Sequence, residues 1–228
     1  MRKGEAKRQE MLAAAERLFL SRGYDATSVQ DILDDLHASK GGFYHYFASK
    51  EDVLKILCAQ RAERAAAWTQ QALEGEESDM ARINAVLKGY MPLRREESDF
   101  IRMLAPIIER SEGRAMGMIY QDALMTHFEP LLRKEIALAA KLETICPPVR
   151  GMESVVLQLV NSCWMAVAAE VVRAAREGGR PDSPAILSIL ERSRRAVEVL
   201  LDAPYGSVEI LRFEELGAIC EELRQVDF

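Results

Sequence analysis

SKGGFYHYF, residues 39–47, sets a lysine and two glycines ahead of five consecutive rings, Phe43 to Phe47. Glycine inside a helix costs roughly 1 kcal/mol against alanine, and five adjacent large side chains cannot all enter one core. On a helix of about 3.6 residues per turn, Phe43 and Phe47 share a face, while Tyr44 and His45 point the opposite way and Tyr46 sits at the edge. The phenylalanines then anchor the helix. The outward rings, beside Lys40 and upstream of Lys50, form a surface able to meet base edges, sugars and phosphates. Lacking β-carbons, Gly41 and Gly42 would let that surface approach a phosphate or a base closely. The plainer alternative is a glycine-softened loop whose rings pack against the rest of the chain.

The flanking sequence supplies the neighbours such a helix needs. Apolar residues Leu12, Ala15, Leu18 and Phe19 stripe a first helix over about residues 5–22, with Gly23 placed as its stop. Thr27 and Gln30 match a capping box that opens a second helix, whose buried face is Val29, Ile32, Leu33 and Leu36. His37-Ala38 is a very short connection before Ser39, which can cap the ring-bearing helix. Two helices joined by a brief turn, the second with an outward face of this kind, describe a helix-turn-helix. Ser49 and Asp52 open a fourth helix, with Val53, Leu54 and Leu57 inward and no breaker before Gly75. It would be about 37 Å long at 1.5 Å per residue.

Beyond EGEES (residues 74–78) the chain becomes long helical segments broken by Pro and Gly. Helices are expected at about 79–93, 98–109, 112–141, 151–177, 184–202 and 207–226. The breaks are Pro147-Pro148, Gly178-Gly179 with Pro181, the Ser183-Pro184 start, and a turn at Pro204 to Ser207. No sustained alternation of apolar and polar residues appears. The expected architecture is all-α: a helix-turn-helix bundle over residues 1–52 and a larger helical domain over 53–228, linked by the fourth helix at about 49–74.

Composition sets bounds on function. A net charge of −6 argues against indiscriminate coating of nucleic acid. Residues 1–50, however, carry 8 Lys/Arg against 7 Asp/Glu, net +1, and leave −7 on the remainder. Arg2, Lys3, Lys7 and Arg8 crowd the first turns, as a solvated arm or a phosphate-contacting one. The longest uncharged stretch, Ser154 to Ala169, is too short to span a bilayer, and MRKGEAKRQEM has no apolar core of a secretory signal. A cytoplasmic protein without membrane contact is expected. Cys58, Cys146, Cys163 and Cys220 are far apart, with no ligand spacing, and read as small hydrophobes; no metal or cofactor is expected. GxSxG, HExxH and phosphate-cradling glycine loops are absent, so an enzyme is not expected.

LFLSRGYDATSVQDI followed by SKGGFYHYFASKEDVL, about residues 8–57 taken as a whole, resembles the N-terminal domain of TetR-type bacterial transcriptional regulators. Where that family usually has Ala-Gly-Val in the turn, this chain has Leu36-His37-Ala38. The resemblance implies phosphate contacts at Thr27 and Ser28, recognition-helix contacts at Lys40, Gly41, Gly42, Tyr44 and His45, with Tyr46 as a further partner, and a phosphate-binding lysine at Lys50. Phe19, Val29, Ile32, Phe43 and Phe47 fall to the small core.

The same resemblance implies a palindromic DNA operator, a homodimer and a small-molecule effector. Broad apolar faces suit a dimer bundle or, equally, a monomer core: Val155, Val156, Leu159, Val160, Cys163, Val167 and Val171 over 151–177, and Ile186, Leu187, Ile189, Leu190, Val197 and Leu200 over 184–202. For a largely apolar effector the candidates are Phe100, Met103, Ile107, Met116, Met118, Tyr120, His127 and Trp164. The function implied is a repressor released from DNA by its effector. The alternatives at this point are a helical small-molecule-binding protein and an all-α enzyme, neither with specific DNA binding.

Overall fold

The computed structural model describes residues 3–91, 111–177, 179 and 183–211. Among these residues the chain forms eight helices and no strand: α1 (Lys3–Arg22), α2 (Val29–Asp35), α3 (Lys40–Tyr46), α4 (Lys50–Leu73), α5 (Asp79–Tyr90), α6 (Ser111–Lys141), α7 (Glu153–Arg176) and α8 (Ser183–Leu201). The helix expected at 98–109 lies outside the described residues, as do Phe100, Met103, Ile107, Cys220 and the side chain of Met116.

Helices α1 to α3 form a small bundle seated on the first turns of α4, and α4 then packs against α5 and α6. Helices α7 and α8 pair with each other, and α7 closes onto α5 and α6. Buried residues from all eight helices, from Met11 to Ile210, join one continuous core. Within α7 the stretch Glu153–Val171 is long and apolar enough to cross a membrane by length and composition. Its Val156, Val160, Cys163, Val167 and Val171 instead face the core.

Local chemistry sets the helix ends. Gly23 closes α1 at φ 88°, a backbone angle that favours glycine, and its N–H reaches the Phe19 carbonyl at 3.0 Å. Helix α2 starts one residue later than the Thr27–Gln30 pair implies. Ser28 is the N-cap: its hydroxyl accepts the Asp31 N–H at 3.1 Å, while the Asp31 carboxylate accepts the Ser28 N–H at 2.7 Å and also the Ser28 hydroxyl. Thr27 and Ser28 are adjacent cap formers, and the apolar spacing of α2 is the same for either. Ser39 and Ser49 cap α3 and α4 as expected, accepting from Gly42 and Asp52 at 3.2 and 3.1 Å.

The turn between α2 and α3 survives without glycine. His37 holds φ 49°, its N–H donates to Asp34 O at 3.3 Å, and the Ala38 N–H donates to Leu33 O at 2.9 Å. That is the Schellman pairing, with a histidine in the position glycine usually takes. Left-handed backbone costs a non-glycine residue roughly 1–2 kcal/mol, part of which glycine would return as unfolded-state entropy. His37→Gly is therefore expected to stabilise the fold by about 0.5–1 kcal/mol in urea denaturation. A loss of stability would mean that the imidazole makes a contact worth more than the strain.

Only the start of the helix expected at 207–226 is described, and residues 207–211 form no helix there, with a bend at Ile210. Val208 and Ile210 are buried on one side. The Asn84 amide brackets this segment, donating to Ser207 O at 2.8 Å and accepting the Glu209 N–H at 2.9 Å.

Candidate nucleic-acid interface

Helix α3 divides its rings as its spacing requires. Phe43 is fully buried and Phe47 nearly so, the two rings 5.3 Å apart between centroids. Tyr44 is 58% exposed on the opposite side, and His45, Lys40 and Gly41 are exposed with it. Edge-on packing at 5.4 Å against Phe43 orients the Tyr44 ring while its hydroxyl end faces outward. A β-carbon on Gly41 would meet nothing within 4 Å, so the fold itself makes no demand for glycine there. Gly42 is half-buried, and a β-carbon on it would come within 3.4 Å of Ser39 Oγ and 3.8 Å of Met11 Cε.

Tyr46 is half-buried rather than outward. Its ring packs edge-on against His45 at 4.8 Å, and its hydroxyl lies over Gly4, where a β-carbon would be 3.4 Å away. The start of α1 therefore lies beside the recognition helix, and the Arg8 guanidinium sits 5.7 Å over the Phe47 ring. Arg8 also lies 3.7 Å from Glu5, so this cation belongs to the packing of α1 on the buried side of α3.

Two expected contacts are corrected. Thr27 is fully buried, and its hydroxyl donates to Gly23 O at 2.8 Å and Leu18 O at 3.3 Å; it closes the α1–α2 turn and does not face a phosphate. Lys50 is half-buried, with its ammonium donating to Tyr24 O at 2.8 Å and Thr27 O at 2.9 Å while lying 4.1 Å over the Tyr24 ring. Desolvation holds its pKa below the usual lysine value. Lys50 is thus a clamp between α4 and the preceding turn, with at most one N–H left for a phosphate. Ser28 is exposed, but its hydroxyl is occupied by the capping box; these hydrogen bonds hold the Asp31 carboxyl below its ordinary pKa. Lys40, Gly41, Tyr44 and His45 are the expected contacts that share one open surface.

Four of the expected effector residues have described side chains: Met118, Tyr120, His127 and Trp164. Met118 is 63% exposed. Tyr120 and Trp164 are buried and His127 is half-buried. Sequence reasoning missed Tyr90, which is 2% exposed and packs edge-on against Phe128 at 5.6 Å. Its hydroxyl has no hydrogen-bond partner among the described residues, and burial pushes its pKa upward. Such a group costs about 1–3 kcal/mol of desolvation. Tyr90→Phe is expected to raise stability by about 1 kcal/mol in urea denaturation, while a loss would reveal a partner for the hydroxyl. Among the described residues, no cluster of His, Cys, Asp or Glu could hold a metal ion.

A short helix seated by two phenylalanines, delivered by a tight turn and open on its lysine-, glycine- and ring-bearing face, defines a helix-turn-helix DNA-binding module. Residues 11–56 match the model of the bacterial regulatory proteins of the tetR family. The chain carries the N-terminal domain of that family of transcriptional regulators. An uncharacterized HTH-type transcriptional regulator in the lacX 3′ region of Lactococcus lactis is 32% identical over 84 residues, covering 35% of this chain and 41% of that one. The HTH-type transcriptional repressor KstR2 of Mycobacterium tuberculosis is 43% identical over 52 residues, 23% of this chain and 26% of its own. The matched segments thus span less than half of those relatives. The solved structure of a TetR-family transcriptional regulator from Pectobacterium atrosepticum covers 90% of this chain and 99% of its own, with a TM-score of 0.61 at 19% identity, a likeness of fold.

Proposed function

We propose that the protein is a homodimeric transcriptional repressor that binds a palindromic operator and releases it when a small molecule binds the larger domain. The observation that carries this reading is the face of α3, where Lys40, Gly41, Tyr44 and His45 are exposed together while Phe43 and Phe47 are buried. In this reading residues 1–52 read DNA, residues 53–228 sense and dimerise, and the protein works in the cytoplasm without enzymatic activity. Helices α7 and α8 support the dimer. After their core faces are satisfied, Val155 and Leu187 remain 40% and 47% exposed, beside exposed Ser162, Ala166 and Ala169, whose small side chains permit close helix approach. The effector site lies among α5, α6 and α7, where the Tyr90 hydroxyl, without a partner among the described residues, offers a polar anchor beside Phe128.

Two recognition helices on a two-fold axis would meet successive major grooves about 34–36 Å apart. An effector that tilts α4 changes that spacing, and by reciprocity the operator weakens effector binding by the same factor. The test is a footprint of the full chain on the DNA upstream of its own reading frame. Protection of an inverted repeat by a dimer, weakening steeply with salt through counterion release, is the expected result. A chain that is dimeric yet protects no sequence there over random DNA would refute the repressor reading.

A further inference from the structure

The connection from α6 to α7, residues 142–152, folds back over the last turns of α6 and leaves a pocket of about 580 Å³. It is remote in the fold from α3: Thr144 in this connection bonds Asp79 at the start of α5, beyond the far end of α4. Ile136 and Ile145, both buried, supply its apolar floor with Ala140, and Val149 and Met152 continue the apolar lining. Three cations line it as well: Arg133, Lys141 and Arg150. Arg133 pairs with Glu129 and lies 3.7 Å from Glu153, the one carboxylate in the lining. Lys141 and Arg150 have no carboxylate partner among the described residues. A chain of net charge −6 thus keeps a local positive excess against an apolar floor, and two of its cations are not neutralised.

We propose that this pocket binds a small organic anion, with its acidic head at Lys141 and Arg150 and its apolar body over Ile136, Ile145 and Val149. The volume falls within the range of small-molecule sites, about 300–1,000 Å³. An apolar wall with a few convergent charges is the composition that recognises an amphipathic acid, since the wall lowers the local dielectric and strengthens the pairing. The shared chemistry is an anionic head, carboxylate or phosphate, on an apolar body. The site is separate from the Tyr90 region and does not depend on the DNA-binding reading.

Cys146 lies in the pocket lining and is exposed, whereas Cys58 and Cys163 are buried, so its alkylation rate reports occupancy locally. The full chain is treated with iodoacetamide, without DNA, in the presence of decanoate, decyl phosphate or decanol, and Cys146 is followed by peptide mass spectrometry. At about ten times its Kd, a ligand filling the pocket slows alkylation about tenfold. Decanoate or decyl phosphate is expected to protect at a Kd at least about tenfold below that of decanol, and the tighter of the two identifies the head group. Lys141→Ala with Arg150→Ala is expected to abolish that preference at an unchanged melting temperature, and Lys141→Arg to retain it. The proposal is overturned if neither anion protects Cys146, if decanol protects equally well, or if protection survives loss of both cations.

Discussion

Arg82→Leu is expected to cost the fold about 3–5 kcal/mol, the penalty for removing one partner of a buried ion pair. Glu135 sits in α6 with its side chain 1% exposed, and Arg82 of α5 meets it with two parallel contacts, Nε to Oε2 at 2.7 Å and Nη2 to Oε1 at 3.1 Å. The same guanidinium donates through Nη1 to the Leu73 carbonyl at 2.6 Å and reaches Glu76 O at 3.4 Å. One side chain therefore neutralises a carboxylate that water cannot reach and satisfies the carbonyl end of α4. Leucine leaves both groups without a donor. Urea denaturation with an unchanged m-value would read the loss. Replacing Glu135 by leucine as well should recover most of it, because an apolar pair strands no charge. A cost below about 1 kcal/mol for the single change would mean that Glu135 finds another donor.

Operator affinity should fall at least about 100-fold when Lys40→Ala and Tyr44→Ala are combined, since each contact is worth roughly 1–3 kcal/mol and the proposed dimer loses it twice. Both side chains are exposed, Tyr44 by 58%, so the melting temperature should hold. The single changes should separate by kind. Removing the lysine charge lowers the salt dependence of binding by about one unit per half-site, whereas removing the tyrosine alters sequence preference and leaves that dependence in place. Phe43→Ala offers the contrast. It empties a fully buried site and costs about 3–5 kcal/mol of stability, so binding and folding fail together. Unchanged specific affinity in the folded double variant would show that α3 does not read the operator.

What was legible in advance was rotation and capping. The spacing of Phe43, Tyr44, His45 and Phe47 places each ring on the correct side of α3, and Gly23, Ser39 and Ser49 mark three helix ends where they occur. His37 stands where glycine is usual in the turn, but its positive φ is visible only in the structure. Partnerships across long separations were not legible. Lys50 reaches carbonyls 26 and 23 residues before it, and Arg82 finds a carboxylate 53 residues on. Periodicity says which side a residue faces, not which atoms await it there. Thr27 and Lys50 read as phosphate contacts from the family resemblance alone, and the pocket beside Ile145 had no signal in the pattern. Tyr90 was missed for the same reason, since an unpaired hydroxyl is visible only once its surroundings are packed.

The Lys50 clamp has a mechanical consequence. At one end α4 is pinned to the α1–α2 turn by that ammonium and to α1 by Arg61 and Glu16, 2.8 Å apart. At the other, its last carbonyls are held by Arg82, which is itself fastened to α6. A helix fixed at both ends behaves as a strut: it transmits tilt and absorbs little. With 24 residues it is about 36 Å long, so a tilt of about 5° at its α5–α6 end swings the α3 end by about 3 Å, close to one base-pair step. In the repressor proposed above, α3 need not change shape to lose its register on DNA.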